Sequence, residues 1–308
     1  MGNSDAGIPI YLCIYNGAGD SLQTFKKARK STTLLVNNAI HAGEPDGVNA
    51  SAVWLLDLIQ QKPNANDPLI AIIPAYNVGG MLNRNSNSRA NQEGPEVYGF
   101  RGSARNYDLN RDFIKMDAQN TFTFATIFHA LDPDVFVDTH VSNGADYTYT
   151  LTYIASMKER MAPSIKELTY DVLLPELNRK VPIFPYVELK GRTPEEGIVA
   201  FNDLPRYAMG YANLFNSFSF TVETHMLKPF PERVKSTYDF INELYLWTKL
   251  NSTKVELARV QAATFQDQQE YFKFNYTLSD VADSILFKGY KATYPIHPVT
   301  QLPRLNYD

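Results

Sequence analysis

At 308 residues, with 44% hydrophobic and 20% charged side chains, the chain has the composition of a folded globular protein with room for one large α/β domain and an appendage. A net charge of -4 excludes the basic excess that nucleic acid or anionic lipid attracts, and no apolar run approaches the roughly 18–20 residues a membrane span requires. Cys13 is the only cysteine, so no internal disulfide can form, and in IPIYLCIY it reads as a small buried hydrophobe. No signal segment opens the chain, but a periplasmic or secreted protein relieved of its leader has the same composition, so the compartment stays open.

In chain order, the apolar runs 8–14 (IPIYLCI) and 32–39 (TTLLVNNA) predict strands, followed by a helix over 47–61 and a strand over 68–76 (PLIAIIPAY). Residues 83–106 are polar almost throughout, and loops of that length are functional or disordered. A helix over 118–131, strands over 134–140 and 148–155, and a proline-broken helical region over 156–180 come next. A strand over 217–224 and a long helix over 231–261 follow. Continuous apolar strands suit the middle of a sheet covered on both faces, so the pattern predicts an α/β fold with a mixed, largely parallel sheet sandwiched between helices. Residues 1–262 form the expected main domain; 263–308, with short β-like runs and prolines, form an extension that starts a further β-rich module.

Ligands of α/β sheets bind beyond the carboxyl ends of the strands, and three strand ends here carry chemistry. The first, NNAIHAGEPDG, places His41 and Glu44 three residues apart in a strand-to-helix turn, where an imidazole nitrogen and a carboxylate oxygen can face one metal ion. The second, PDVFVDTHVS, supplies His140 in the same relation to its own strand. Two histidines and a carboxylate with a fourth position open are the catalytic zinc arrangement, in which the pKa of bound water falls towards ~7. Asp138, two residues before His140, shares its face and either accepts the second ring N–H of a ligand or is a solvated strand-end aspartate. The third, FSFTVETH, delivers Glu223, a carboxylate outside the ligand set and the candidate general base. His225 competes for a ligand role if the strand runs that far; His129 reads as a core or helix-surface residue, and His297 lies in the proline-rich tail.

These motifs, in this order, resemble the zinc carboxypeptidase superfamily, the carboxypeptidase A-like metallopeptidases. GIPIYLCIYNGAG is similar to the family's opening strand, LLVNNAIHAGE to its His-x-x-Glu zinc motif, and IIPAYNVGG to its Asn-Pro-Asp-Gly turn with Val78 and Gly79 replacing proline and aspartate. RNYDLNRDF resembles its Asp-Leu-Asn-Arg segment, VDTHVS its third ligand and FTVETH the strand of its catalytic glutamate. The resemblance covers residues 6–260 or so. It implies a mixed eight-stranded sheet, one zinc ion per chain held by His41, Glu44 and His140, and hydrolysis of a C-terminal peptide or related amide bond with Glu223 as base. It further implies that Asn110 and Arg111 bind the substrate's terminal carboxylate, that Arg101 polarises the scissile carbonyl with Arg84 and Arg89 as rivals, and that Tyr207, or else Tyr211, closes over the substrate. The family's helical segment before the opening strand is missing here, and both ends look trimmed from a longer protein.

The turn at Val78, the SNGADYTY that follows His140, and Arg206 beside Tyr207 depart from the family pattern, which leaves the substrate open. An extra arginine favours an acidic substrate or a second carboxylate, a peptide ending in Asp or Glu or a cell-wall peptide, unless Arg206 merely pairs with Asp203. Two other readings stand beside a peptidase acting on C-terminal or cell-wall-type peptides. One is an acyl-amino-acid amidohydrolase of the succinylglutamate desuccinylase or aspartoacylase type, which shares HAGE, DLNR and DTH. The other is a non-catalytic module that grips a peptide or glycan; such a module is expected to lose a ligand or the base, and all four positions are present.

Overall fold

The apolar runs pair into one central sheet in the computed structural model, which describes residues 1–186, 188–191, 196–273, 275–277, 279, 281 and 284–307. The elements run β1 (Cys13–Tyr15), α1 (Ser21–Ala28), β2 (Thr33–Asn37), α2 (Asp46–Ile59), β3 (Leu69–Ile73), α3 (Val78–Leu82) and a 3-10 turn (Leu109–Arg111). Then come α4 (Gln119–Leu131), β4 (Val135–Ser142), β5 (Leu151–Ala155), a 3-10 turn (Lys158–Arg160), α5 (Pro163–Glu167), a π turn (Leu168–Leu173) and α6 (Leu174–Lys180). The chain continues through β6 (Ile183–Pro185), the short ribbon of β7 (Glu188–Leu189) and β8 (Ile198–Val199), α7 (Ala208–Leu214), β9 (Phe218–His225), α8 (Phe230–Asp267) and a second ribbon, β10 (Ala292–Thr293) with β11 (Asn306–Tyr307).

Among the described residues the sheet has the order β1-β3-β2-β4-β9-β5-β6, seven strands, near the eight that the resemblance implies. The four central strands are parallel, β5 and β6 are parallel to each other, and antiparallel pairing occurs where β1 meets β3 and where β5 meets β9. Every residue of β2, β3 and β4 is buried because helices cover both faces. Leu34 and Val36 point into one core with Trp54 of α2 and Phe240 and Leu244 of α8; Leu35 points into the other with Phe124 and Phe128 of α4 and Tyr211 of α7. β1 is shorter and later than the run 8–14 suggests, and Cys13 is half-buried.

The polar stretch 83–106 is folded back over the β2–α2 turn. Gly99 N–H donates to the Ala42 carbonyl (3.1 Å) and Phe100 N–H to that of Gly80 (2.9 Å). A Cβ at Gly99 would meet the Ala42 carbonyl at 2.6 Å, so only glycine allows this approach. Helix α8 runs past residue 262 to Asp267; of the expected extension, residues 274, 278, 280, 282–283 and 308 lie outside the described set. Among the described residues no helix is long and apolar enough to cross a membrane.

Candidate active site

Register assembles the site. β4 lies between β2 and β9, with Asn37 opposite Asp138 and His140 opposite Glu223. Residues i and i+2 of a strand share a face, so Asp138 and His140 point the same way; Asp138 accepts from Asn37 Nδ2 (2.9 Å) and faces His140 Nε2 at 2.7 Å. After β2, the chain makes a tight turn in which Glu44 N–H donates to the His41 carbonyl (3.0 Å), and α2 starts at Asp46. That turn brings His41 and Glu44 over the end of β4.

The three residues converge. His41 Nδ1 lies 3.1 Å from Glu44 Oε1 and His140 Nδ1 lies 3.0 Å from Glu44 Oε2, and one donor atom from each of the three falls within 4.8 Å of the others. The outer nitrogens face carboxylates instead: His41 Nε2 meets Asp108 Oδ1 at 3.2 Å and His140 Nε2 meets Asp138. Both imidazoles thus turn Nδ1 inward, each held from behind by an acid that accepts its other N–H, the support that metal-binding histidines use. All three are buried, and a buried His–Glu–His set with both rings so oriented suits a metal ion.

Electrostatics separates the two glutamates. Burial alone would push Glu44 up, but His41, Arg89 and His140 outweigh it and hold the carboxyl well below its usual range. Arg89 Nη1 donates to Glu44 Oε1 (3.0 Å), and its Nη2 to the Val141 carbonyl (2.6 Å). Burial pushes Glu223 up to about 7, with His140 opposing and Glu44 adding to the rise. Asp108 is held well below the ordinary range because His41 and Arg101 more than offset its partial burial.

A cavity of about 190 Å³ opens over these groups, lined by His41, Glu44, Arg101, Asn110, Arg111, His140, Tyr207 and Glu223. Arg101 reaches in, its Nη1 3.2 Å from His41 Nδ1 and its Nη2 2.9 Å from Asp108. Its rivals stand elsewhere: Arg89 braces Glu44 from outside the cavity wall, and Arg84 donates to the Val97 carbonyl at the surface. Asn110 Oδ1 accepts from Ala208 N–H (3.0 Å) at the start of α7. Tyr207 is buried and lines the cavity, whereas Tyr211 bonds the exposed His129 of α4 at 2.7 Å, away from the cavity. His225 completes β9, but its ring faces the Gly144 carbonyl and Leu227 N–H, outside the three-residue cluster. Arg206 donates to the Tyr207 hydroxyl, so it is not paired with Asp203, which is buried and accepts from Met157 N–H.

Sequence reasoning gave Asp108 no role, although it lies in the DLNR segment; its contact with His41 spans 67 residues of chain and has no local signal. The walls from Ile154, Tyr186, Phe201, Met209 and Thr221 were equally unforeseen. Ile154 and Thr221 become neighbours only through the β5–β9 register.

No protein-family model and no curated protein matches the chain. Solved structures do. A metallo-carboxypeptidase from Pseudomonas aeruginosa, in complex with (2-guanidinoethylmercapto)succinic acid, is similar over 82% of this chain at 14% identity and a TM-score of 0.59. A metallo-carboxypeptidase from Burkholderia cenocepacia is similar over 82% at 14% identity and 0.57, and the carboxypeptidase A of Helicoverpa armigera over 85% at 14% and 0.55. The matched region spans 64% of each bacterial protein and 68% of the Helicoverpa protein. Mixed sheet, flanking helices and strand-end cluster together give the chain the metallo-carboxypeptidase fold.

Proposed function

We propose that the protein is a zinc-dependent carboxypeptidase that releases the terminal residue of a peptide. The observation that carries this reading is the position of Glu223: a carboxyl with its pKa raised to about 7 stands in strand register with His140, in the same cavity as the His41–Glu44–His140 cluster but outside it. One zinc ion per chain, held by those three residues, supplies a Lewis acid and an acidified water. Glu223 takes the proton of the attacking water and hands it to the leaving amine, the task for which a base poised near neutral pH is suited. Arg101, which donates into the cavity beside His41, stabilises the negative charge that grows on the scissile carbonyl oxygen. Arg111 holds the substrate's terminal carboxylate through its guanidinium fork, with Asn110 beside it and Tyr207 closing the wall.

Glu223→Gln tests this. Release of the terminal residue, followed by amine detection, should fall by a factor of about 10² or more while zinc content is unchanged; undiminished release would remove Glu223 as the base. The cavity, at about 190 Å³, is also small enough for an N-acylated amino acid. Running such a compound beside the peptide separates the acyl-amino-acid reading from the peptidase one.

A further inference from the structure

Around Tyr207, which lines the cavity beside Arg111, stands more positive charge than the proposed reaction uses. Arg111 and Arg206 both lie against the ring of Tyr207, their guanidinium carbons 4.6 and 5.0 Å from its centre. Arg111 Nη1 donates to its neighbour's carbonyl at Asn110 (2.9 Å), and Arg206 Nη2 to the Tyr207 hydroxyl (2.9 Å). Both side chains are exposed, and among the described residues neither has a carboxylate within ion-pair distance. The other two arginines around the site differ: Arg89 faces Glu44 and Arg101 faces Asp108. Asp203, three residues before Arg206, is engaged elsewhere, its side chain by Met157 N–H and its carbonyl by Arg160.

A single terminal carboxylate needs one guanidinium fork, which leaves the second without a counter-charge. We propose that Arg111 and Arg206 form a paired clamp for a substrate with two carboxylates at its end, namely a peptide whose C-terminal residue is acidic. This rests on the carboxypeptidase reading above and names its substrate class. The Tyr207 ring holds both cations by their faces, and its hydroxyl fixes the aim of Arg206, so little ordering remains to be done when the substrate arrives. Each carboxylate then gains a charge-assisted hydrogen bond. The only described carboxylates lining the cavity are Glu44 and Glu223, both committed to the reaction centre, so a basic terminal side chain finds no partner of its own.

The test uses the zinc-loaded full chain and two N-acylated peptides identical but for a terminal Glu or Gln. The Glu peptide should be cleaved with a kcat/KM at least about tenfold higher, chiefly through KM, and the preference should shrink as ionic strength rises. Arg206→Gln should bring the ratio close to one, and Arg206→Lys should retain part of it because the charge persists without the fork. Equal cleavage of the two peptides by the unaltered protein, or an unchanged ratio in Arg206→Gln, would overturn the clamp and leave the peptidase reading standing. Failure to cleave these or any peptide with a free terminus would bring down the peptidase reading, and the clamp with it.

Discussion

Arg233 is fully buried, and replacing it with methionine tests how the site is held together. Its guanidinium binds both oxygens of Asp46, at 2.8 and 3.2 Å. It also donates to the carbonyls of Glu93 (2.6 Å), Gly94 (2.9 Å) and Lys228 (2.7 Å). One side chain of α8 thus joins the first turn of α2, two residues past Glu44, to the polar loop that carries Arg89 and to the turn that follows β9. Asp46 is 1% exposed and has Thr224 as its other side-chain partner. Methionine would strand that carboxylate, which costs about 3–5 kcal/mol, and would leave three carbonyls without donors at roughly 1 kcal/mol each. Such a loss is comparable with the whole stability of an ordinary domain, about 5–15 kcal/mol. Urea unfolding in the presence of a chelator, so that no metal contributes, reads it directly. The sign with pH is also fixed. Burial already lifts the Asp46 carboxyl above its usual range despite Arg233. A carboxyl that binds its proton more tightly when folded favours the fold at low pH and loses that contribution as pH rises through the folded pKa. The penalty of Arg233→Met should therefore be smaller near pH 4 than at pH 7, and adding Asp46→Asn should recover part of it. A loss under about 1 kcal/mol, or strictly additive single and double variants, would refute the reasoning.

Two further expectations concern the same region. In the metal-free protein burial alone would push His140 down, but Asp138 and Glu44 outweigh it and hold the imidazole well above its usual range. The stabilising charged form is present below the ordinary histidine pKa and is lost only as pH rises through the raised one. Zinc needs the neutral ring, so uptake at pH 7 should release about one proton per metal and weaken as pH falls; calorimetry that gives the same heat in buffers of different protonation enthalpy would contradict this. Gly47 lies where α2 crosses β4, and a Cβ there would collide with the Thr139 side chain and the Asn38 side-chain oxygen. Gly47→Ala should cost about 1–3 kcal/mol by overpacking and should lower zinc affinity by shifting Glu44 away from His140, so unaltered urea midpoint and zinc content would argue that this contact does not set the Glu44 position.

The central strands were legible because burial on both faces leaves an unbroken apolar run, as in TLLVN and LIAII. Ile183–Pro185 was not: three residues at a sheet edge carry too little pattern. α1 was missed because SLQTFKKA buries only Thr24 and Ala28, although Asp20 caps it by accepting from Gln23 N–H. At the site, the strand-end positions of His41, Glu44, His140 and Glu223 could be read from the sequence because each strand delivers its own residue to the same edge. What could not be read depends on the loop 83–108, whose polar residues have no periodicity. Arg89 and Arg101 look alike in sequence; only the folded loop turns one onto Glu44 from behind and the other into the cavity.

The most direct test of the account is the metal content of the protein purified without added zinc, measured by elemental analysis beside Glu44→Ala. Close to one zinc per chain is expected, lost on Glu44→Ala because two imidazoles alone make an incomplete site. No bound zinc in either protein after equilibration with the metal, or equal zinc in both, would contradict the assignment of His41, Glu44 and His140 as a metal centre.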